Sequence, residues 1–239
     1  MNRLLLLLVG LALPSIAWAQ SAQIETARQH LQQHADQFGI TGAALDEAVV
    51  TDAYTSKRSG VTHVYFQQHR GGIEVADARI TVNVKRDGSV LLAGGAFNPT
   101  LGTTQRSASP SLSAEDAIAT AVGHLGLTLT EPLSVQSRSN GAARATTFSG
   151  GGVSLAPIPA KLVYHPVEVK DAVLAWDVEI EQKEHVWTVR VDAATGEVLL
   201  QWDQVVHDHW GMPDGAASSA VVDLAPLAST DAYGPLATA

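Results

Sequence analysis

The chain has 239 residues, no cysteine and a formal net charge of −9 at pH 7. This acidic excess disfavours nucleic acids and anionic membranes as partners, because both would repel it. The absence of cysteine excludes disulfides, thiol catalysis and thiolate metal sites. The length allows two small domains, each with a core near the lower limit of independent stability.

Residues 1–19 have the pattern of a secretory signal peptide. Arg3 supplies the positive charge, residues 4–13 form an apolar run, and residues 17–19 (Ala-Trp-Ala) place small residues before a cleavage site. A membrane anchor is the alternative, but the run is much shorter than the roughly 20 apolar residues that a spanning helix requires. We therefore predict cleavage after Ala19, export to the periplasm or the medium, and no membrane association after cleavage.

A first amphipathic helix is predicted where apolar residues recur at three- and four-residue spacing in residues 24–38, with Gly39 ending it. His30 and His34 have the spacing of the zinc-binding H-E-x-x-H motif, but Leu31 stands in the position of its glutamate. The general base is therefore missing. Two such histidines are able to share a metal, but a solvated helix face is the favoured interpretation.

Strand periodicity follows, because apolar and polar residues alternate in residues 64–67 and 79–85. Residues 86–88 (Arg-Asp-Gly) are a tight-turn signal, and a further strand runs from Val90. This pattern predicts an antiparallel meander with one solvated face and the first helix packed on the other.

The middle of the chain is predicted to contain two exposed connections and one helix. Residues 98–111 are rich in Pro, Ser, Thr and Gly and are interpreted as a linker. Ser113 then matches a helix N-cap, with Asp116 three residues later, and the helix stops at Gly126. Residues 137–152 include three consecutive glycines and are predicted to be a mobile loop.

A second sheet is predicted from three alternating segments between residues 174 and 202. Its first strand has an acidic solvated face, and a turn that ends at Gly196 precedes its last strand. Three large aromatic residues are expected to anchor its core: Trp176, Trp187 and Trp202.

Residues 62–84 resemble the signature H-V-x-[FY]-x-Q-x-x-x-G-[IV]-x-V of the fungalysin/thermolysin propeptide (FTP) motif, which precedes secreted zinc metallopeptidases. The resemblance implies structural roles for five residues of this stretch: His63, Phe66, Gln67, Gly72 and Val75. Residues 74–77 depart from the family pattern, which usually has a proline before the valine and a glycine-rich turn after it. The turn geometry there is therefore not carried over from the family.

Residues 174–199 resemble the PepSY-type second half of the same pro-regions, with structural roles implied for Trp176, Gly196 and Trp202. Residues 202–207 resemble the segment by which such pro-regions end. The implied fold is α+β, with two small modules that each pack a helix on an antiparallel sheet. An FTP-like module would span residues 20–97, and a PepSY- or cystatin-like module would span residues 112–206 before a Pro-, Ala- and Ser-rich tail at 207–239.

The resemblance implies a secreted protein that binds a zinc metallopeptidase as inhibitor and folding assistant. In such pro-regions the C-terminal segment lies near the substrate cleft of the enzyme. The matching residues expected to cross a peptidase cleft are Val205, Val206, His207, Asp208 and Trp210.

No catalytic residue is predicted, because the sequence contains neither H-E-x-x-H nor the G-x-S-x-G nucleophile motif. We therefore predict that the chain is not itself an enzyme. It would need no cofactor, and zinc would belong to the partner peptidase. His207, Asp208 and His209 are interpreted as polar tail residues in preference to metal ligands.

Two alternatives remain open at this point. The chain could be the N-terminal part of a fungalysin-type metallopeptidase precursor, with a catalytic domain beyond residue 239. It could also be a non-catalytic binding module of the cell surface or periplasm that uses the same fold without a peptidase partner.

Overall fold

A computed structural model describes residues 15–102, 109–168 and 171–205. Two α-helices are present in these ranges, α1 (Ser15–Gln33) and α2 (Ala114–His124), with short 3-10 helices at Ala35–Phe38 and Pro99–Gly102. The strands are β1 (Val49–Thr55), β2 (Thr62–Arg70), β3 (Ile73–Val84), β4 (Val90–Gly95), β5 (Val135–Arg138), β6 (Thr146–Phe148), β7 (Ile158–Glu168), β8 (Asp171–Glu181), β9 (Val186–Asp192) and β10 (Val198–Asp203).

The strands of the described residues form one continuous sheet with the order β1-β2-β3-β7-β8-β9-β10. Strand β4 also pairs with β3, and β5 and β6 extend the sheet beside β7. Neighbours are antiparallel except β3 and β7, which pair in parallel through Glu74 with Val163 and Val75 with Tyr164. The predicted α+β class is confirmed, and this short parallel pairing joins the strands of the two modules.

Helix α1 packs on one face of β1 to β4 and forms the first core. Ala27 and Leu31 are fully buried against Val64, Phe66 and Ile80 of the sheet. Leu31 therefore belongs to the apolar stripe of the helix, as predicted. The 3-10 helix that follows ends at a left-handed glycine at position 39. Helix α1 begins within the predicted signal segment, and cleavage after Ala19 stays a prediction.

Strand β1 was not predicted from the sequence. Its register against β2 shifts between Val50 and Asp52, which is the mark of a β-bulge. The bulge breaks the two-residue alternation on which the prediction of a strand depends. The strand is largely exposed, so its sequence carries little apolar signal.

Helix α2 is capped as predicted and lies on the second core. Ser113 Oγ accepts a hydrogen bond from Asp116 N (3.1 Å) and donates one to Asp116 Oδ2 (2.6 Å). Ala117, Ile118 and Ala121 are fully buried. The core lies between this helix and strands β7, β8 and β9.

The predicted mobile loop at residues 137–152 is wrong, because β5 and β6 form a hairpin there and Phe148 is buried. The glycines allow close packing. A Cβ on Gly150 would lie 2.4 Å from Ser154 O, and one on Gly152 would lie 1.8 Å from Thr130 Oγ1. The glycines are therefore required by close contacts.

Strand β7 was also missed, although it lies inside the sheet between β3 and β8. Pro159 and Pro166 fall within it, and proline usually argues against a central strand. Between them, Leu162, Val163 and Tyr164 are buried on alternating faces of the sheet. A strand buried on both faces has no alternation of polarity to read.

The predicted linker at residues 98–111 is packed over its first part. Gln68 Nε2 donates to Asn98 O (3.0 Å), and Asn98 N donates to Gln68 Oε1 (2.7 Å). Leu101 is 6% exposed and belongs to the second core. An exposed linker is therefore wrong for this part, and residues 103–108 lie outside the described residues.

The prediction that Trp202 anchors the second core is wrong, because its side chain is 61% exposed. A bulge between Val198 and Leu200 shifts the register of β10 on β9. Val198 packs on the second core, whereas Leu199 packs on the small cluster of the opposite face. After the bulge, the residues of β10 therefore lie on the opposite face of the sheet from the one that the sequence alternation predicts. Trp176 is buried, as predicted, and Trp187 is half-buried against the core.

Candidate partner-binding surface

The chain leaves β10 at a fixed point, which we call the exit anchor, formed by Asp203, His185, Val186 and Val205. Asp203 Oδ2 lies 2.6 Å from Nδ1 of His185, and Oδ1 accepts hydrogen bonds from the backbone N–H groups of Val186 (3.2 Å) and Val205 (3.0 Å). The hydrogen bond from His185 holds the pKa of Asp203 below its ordinary value. The anchor therefore orients the backbone where β10 ends.

Gln204 strengthens this arrangement from the next position. Its backbone N–H donates to Val186 O (2.8 Å), and its Nε2 donates to Glu179 Oε2 (2.9 Å) and Thr188 Oγ1 (2.8 Å). Trp202 pairs with Thr188 across the strands and lies beside these groups on the solvated face. The last described residues thus present an ordered, partly aromatic surface.

Of the residues predicted to cross a peptidase cleft, the structure describes one. Val205 is half-buried and belongs to the exit anchor through its backbone N–H. The other four lie outside the described residues: Val206, His207, Asp208 and Trp210. His209, which was interpreted with His207 and Asp208 as a polar tail residue, also lies outside them.

A second cluster of polar side chains links the strands of the two modules through Arg190. Its Nη1 donates to Asp77 Oδ2 (2.7 Å) and to Nδ1 of His165 (3.3 Å), and its Nε donates to Asp177 Oδ1 (2.9 Å). Nearby, Lys161 Nζ lies 2.5 Å from Glu74 Oε2. Asp77 and Glu74 come from β3, and the others come from β7, β8 and β9, so the two modules are held by charge as well as by backbone pairing.

Burial opposes the charge on Arg190, but hydrogen bonds with Asp77 and Asp177 outweigh it and raise the pKa of the guanidinium. Burial, followed by the positive charge of Arg190, lowers the pKa of His165 below its ordinary value. The lowered pKa favours the neutral ring, whose unprotonated Nδ1 accepts the hydrogen bond from Arg190. Sequence reasoning missed this network, because 113 residues separate Asp77 from Arg190 and neither is part of a motif.

The departure from the family pattern at residues 74–77 corresponds to a break in strand pairing. Asp77 has a positive φ of 61°, and the pairing of β2 with β3 is irregular between Gln67 and His69. Gln67 Nε2 donates to the carbonyls of Val75 (2.6 Å) and Ala78 (3.0 Å). Buried Gln67 therefore satisfies carbonyl groups at the irregularity, which positions Asp77 to reach Arg190.

The other motif residues lie as follows. Phe66 and Val75 are fully buried, whereas His63 lies on the solvated face with its Nδ1 2.7 Å from Asn83 Oδ1. Gly72 and Gly196 have positive φ in turns. With His63 as its first position, the signature has its glutamine at Gln68, so the assignment of that role to Gln67 was wrong by one residue. Gln68 is buried and forms two hydrogen bonds with the backbone of Asn98.

Within the described ranges, no group of three or more His, Cys, Asp or Glu side chains is arranged to hold a metal ion. The rings of His30 and His34 lie with centroids 4.3 Å apart. Burial, and then the neighbouring His34, lowers the pKa of His30. No helix in these same ranges combines the length and apolarity needed to cross a membrane.

Two family models match the chain. Residues 46–97 match the Fungalysin/Thermolysin Propeptide Motif, and residues 111–202 match the Peptidase propeptide and YPEB domain (PepSY). The chain thus carries an FTP propeptide motif followed by a PepSY domain, as the resemblance predicted. Both models describe propeptide-type domains, which are non-catalytic.

The curated relatives are fungal extracellular metalloproteinases. The extracellular metalloproteinase mep of Aspergillus fumigatus is 30% identical over 181 residues, which cover 74% of this chain and 27% of the relative. The corresponding protein of Aspergillus terreus is 30% identical over 211 residues, covering 82% of this chain and 31% of the relative. The chain therefore spans about a quarter to a third of the length of these relatives. Among solved structures, the Bacillus megaterium YpeB C-terminal domain matches at 14% identity with a TM-score of 0.36, over 77% of this chain and 64% of that chain.

Proposed function

We propose that this protein binds a secreted zinc metallopeptidase, inhibits it and assists its folding. The observation that carries the proposal is the order of an FTP motif and a PepSY domain in a chain similar to extracellular metalloproteinases. The exit anchor supports it, because the backbone leaves the PepSY domain at an ordered point. Export through residues 1–19 would bring the protein to such an enzyme.

Inhibition would arise by occlusion of the substrate cleft. The residues after Asp203 would enter the cleft, where Val205, Val206 and Trp210 would fill apolar pockets and His207 or Asp208 would approach the partner's zinc. A free peptide loses affinity to ordering entropy, whereas a segment attached to a docked domain binds at a high effective concentration. The exit anchor would reduce this cost further, because it orders the backbone as far as Val205.

Folding assistance would come from the same domain contact. A preformed sheet, held by two cores and by the Arg190 network, presents a surface on which a folding partner buries apolar area before its own packing is complete. Zinc would belong to the partner, and this chain would supply no catalytic group.

A second candidate is action in cis, as the pro-region at the front of a metallopeptidase precursor. The share of the relatives' length that the chain covers, 27% of the A. fumigatus protein, supports this alternative. The physical roles of the domains and of the exit anchor would be the same in both cases.

The test is inhibition of the A. fumigatus metalloproteinase, freed of its own pro-region, by residues 20–239 and by a variant ending at Val205. We expect the longer protein to inhibit at least about tenfold more strongly, because it adds the tethered segment. Recovery of activity after dilution of the enzyme from denaturant, with and without the protein, measures folding assistance. Full peptidase activity together with unchanged recovery would contradict the proposal.

A further inference from the structure

One end of the first module carries two neighbouring hairpin turns. The turn at residues 56–61 joins β1 to β2, and the turn at residues 85–89 joins β3 to β4. Thr62 of β2 pairs with Thr55 on one side and Val84 on the other, so both turns lie at the same end of the sheet. They are close in space, because a Cβ on Gly60 would lie 2.8 Å from Nη2 of Arg86.

These turns concentrate positive charge in an acidic protein. Lys57, Arg58, Lys85 and Arg86 are all exposed, and no ion pair among the described residues involves any of them. The one carboxylate in the two turns, Asp87, accepts hydrogen bonds from the backbone and hydroxyl of Ser89. We call these four cationic residues the basic tip. They stand out in a chain of 15 Lys and Arg against 24 Asp and Glu.

A row of four side chains, which we call the aromatic row because it begins with two stacked rings, lies one residue pair from the basic tip. Tyr54, His63, Asn83 and Leu92 lie side by side across β1 to β4 on the face away from α1. Tyr54 is 46% exposed and Leu92 is 63% exposed. The ring of His63 stacks on Tyr54 with centroids 4.9 Å apart, and Nδ1 of His63 lies 2.7 Å from Asn83 Oδ1. The row is therefore a preorganised, partly apolar surface that stays partly exposed among the residues that the structure describes.

We propose that the basic tip and the aromatic row together form a docking surface for an acidic patch on a protein partner. This inference rests on the proposed function, so the partner is the metallopeptidase. Charge complementarity selects an acidic surface, and the apolar row matches the aromatic centre with charged rim that is common in protein interfaces. A nucleic acid or an anionic membrane fits less well, because the net charge of −9 repels it and its charged surface leaves the row uncovered.

The position of this surface makes its contribution separable from that of the exit anchor. Strands β1 and β10 are the two ends of the main strand order. The basic tip lies in the turns that join β1 to β2 and β3 to β4, whereas the exit anchor lies at the end of β10. Contact at the tip steers encounter, whereas contact beyond Asp203 blocks the cleft. Changes at the tip should therefore alter the association rate, and removal of residues 206–239 should alter inhibition.

The experiment compares two double charge reversals, Lys57→Glu with Arg58→Glu and Lys85→Glu with Arg86→Glu, with a matched reversal of two exposed cations elsewhere, Arg138→Glu with Lys183→Glu. Association with the A. fumigatus metalloproteinase, freed of its pro-region, is measured at about 20 and about 200 mM salt. We expect each tip variant to associate at least about tenfold more slowly at low salt, whereas the matched variant changes less than about threefold. Circular dichroism checks that all variants are folded.

The apolar part is tested with Leu92→Ser, which removes an exposed side chain and should raise the dissociation rate at an unchanged association rate. If the unaltered protein binds but tip variants associate equally fast at both salt concentrations, this inference is overturned and the proposed function stands. If the unaltered protein does not bind the peptidase, both are overturned. Tip-dependent binding to a 20-base-pair DNA or to phosphatidylserine vesicles that is tighter than binding to the peptidase would overturn the choice of a protein partner.

Discussion

Arg190 brings together side chains from four strands of the sheet. It donates to Asp77 of β3, His165 of β7 and Asp177 of β8, and is itself on β9. The arrangement requires His165 to be neutral, because only an unprotonated Nδ1 accepts a hydrogen bond. A proton on His165 would place two cations side by side, with Asp77 and Asp177 as the only compensating charges of the network.

At this residue scale, His165 should make stability depend on pH. Its pKa is lowered in the folded protein, so as pH falls through about 6.5 the unfolded chain takes up a proton first. Stability contributed by the neutral side chain is thus fully present above that pH and is lost towards the lower folded-state pKa. We expect His165→Gln to flatten the pH dependence of the free energy of unfolding between pH 8 and pH 5, measured by urea denaturation.

His124→Gln is the control, because this exposed histidine at the end of α2 lies outside the network. Its substitution should leave most of the slope of the unaltered protein in place. An unchanged slope in the His165→Gln variant would contradict the role of His165.

At the scale of single elements, the bulge in β10 decides which tryptophan supports the core. Trp176 is 3% exposed and its Nε1 donates to Leu112 O (2.9 Å), whereas Trp202, beyond the bulge, is 61% exposed. Both occur in strands of similar composition, and only the register separates their environments. The exposed ring of Trp202 then lies on the solvated face beside Gln204.

We expect Trp176→Ala to lower the free energy of unfolding by about 3–5 kcal/mol, because a large buried ring is lost with its hydrogen bond. Trp202→Ala should change it by no more than about 0.5 kcal/mol, as for other exposed side chains. Urea denaturation followed by far-ultraviolet circular dichroism measures both. Equal destabilisation by the two substitutions would show that β10 lacks the bulged register.

At the scale of the whole molecule, one continuous sheet of the described residues contributes strands to both hydrophobic cores. The parallel contact of β3 with β7 is short, but the ion pairs of Lys161 with Glu74 and Arg190 with Asp77 lie on either side of it. Leu101, in the segment after β4, also packs into the second core. These contacts couple the FTP and PepSY domains, which sequence comparison treats as separate families.

We therefore expect the two domains to unfold in one cooperative transition. Hydrogen exchange should give similar opening free energies for the most protected amides of β2 and β8, because neither core persists without the shared sheet. In the Arg190→Met variant, which removes the charged link, opening of β2 and β8 should become separable. Independent unfolding in the unaltered protein would contradict a shared cooperative unit.

The sequence by itself determined the helices, the strands β2, β3, β4, β8, β9 and β10, and the likeness of the chain to propeptide domains. These features depend on local period, capping residues such as Ser113 and turn glycines such as Gly196, all of which act over a few residues. They can therefore be predicted without knowledge of the tertiary contacts.

Only the tertiary structure decided the rest. The exposure of Trp202, the packed glycines of residues 150–152, the central position of β7 and the partners of Arg190 all depend on contacts between distant segments. The basic tip also needed the fold, because its two pairs of cations meet through strand pairing across β2. A bulge or a close approach changes the environment of a residue without changing its sequence neighbours, so no local pattern records it.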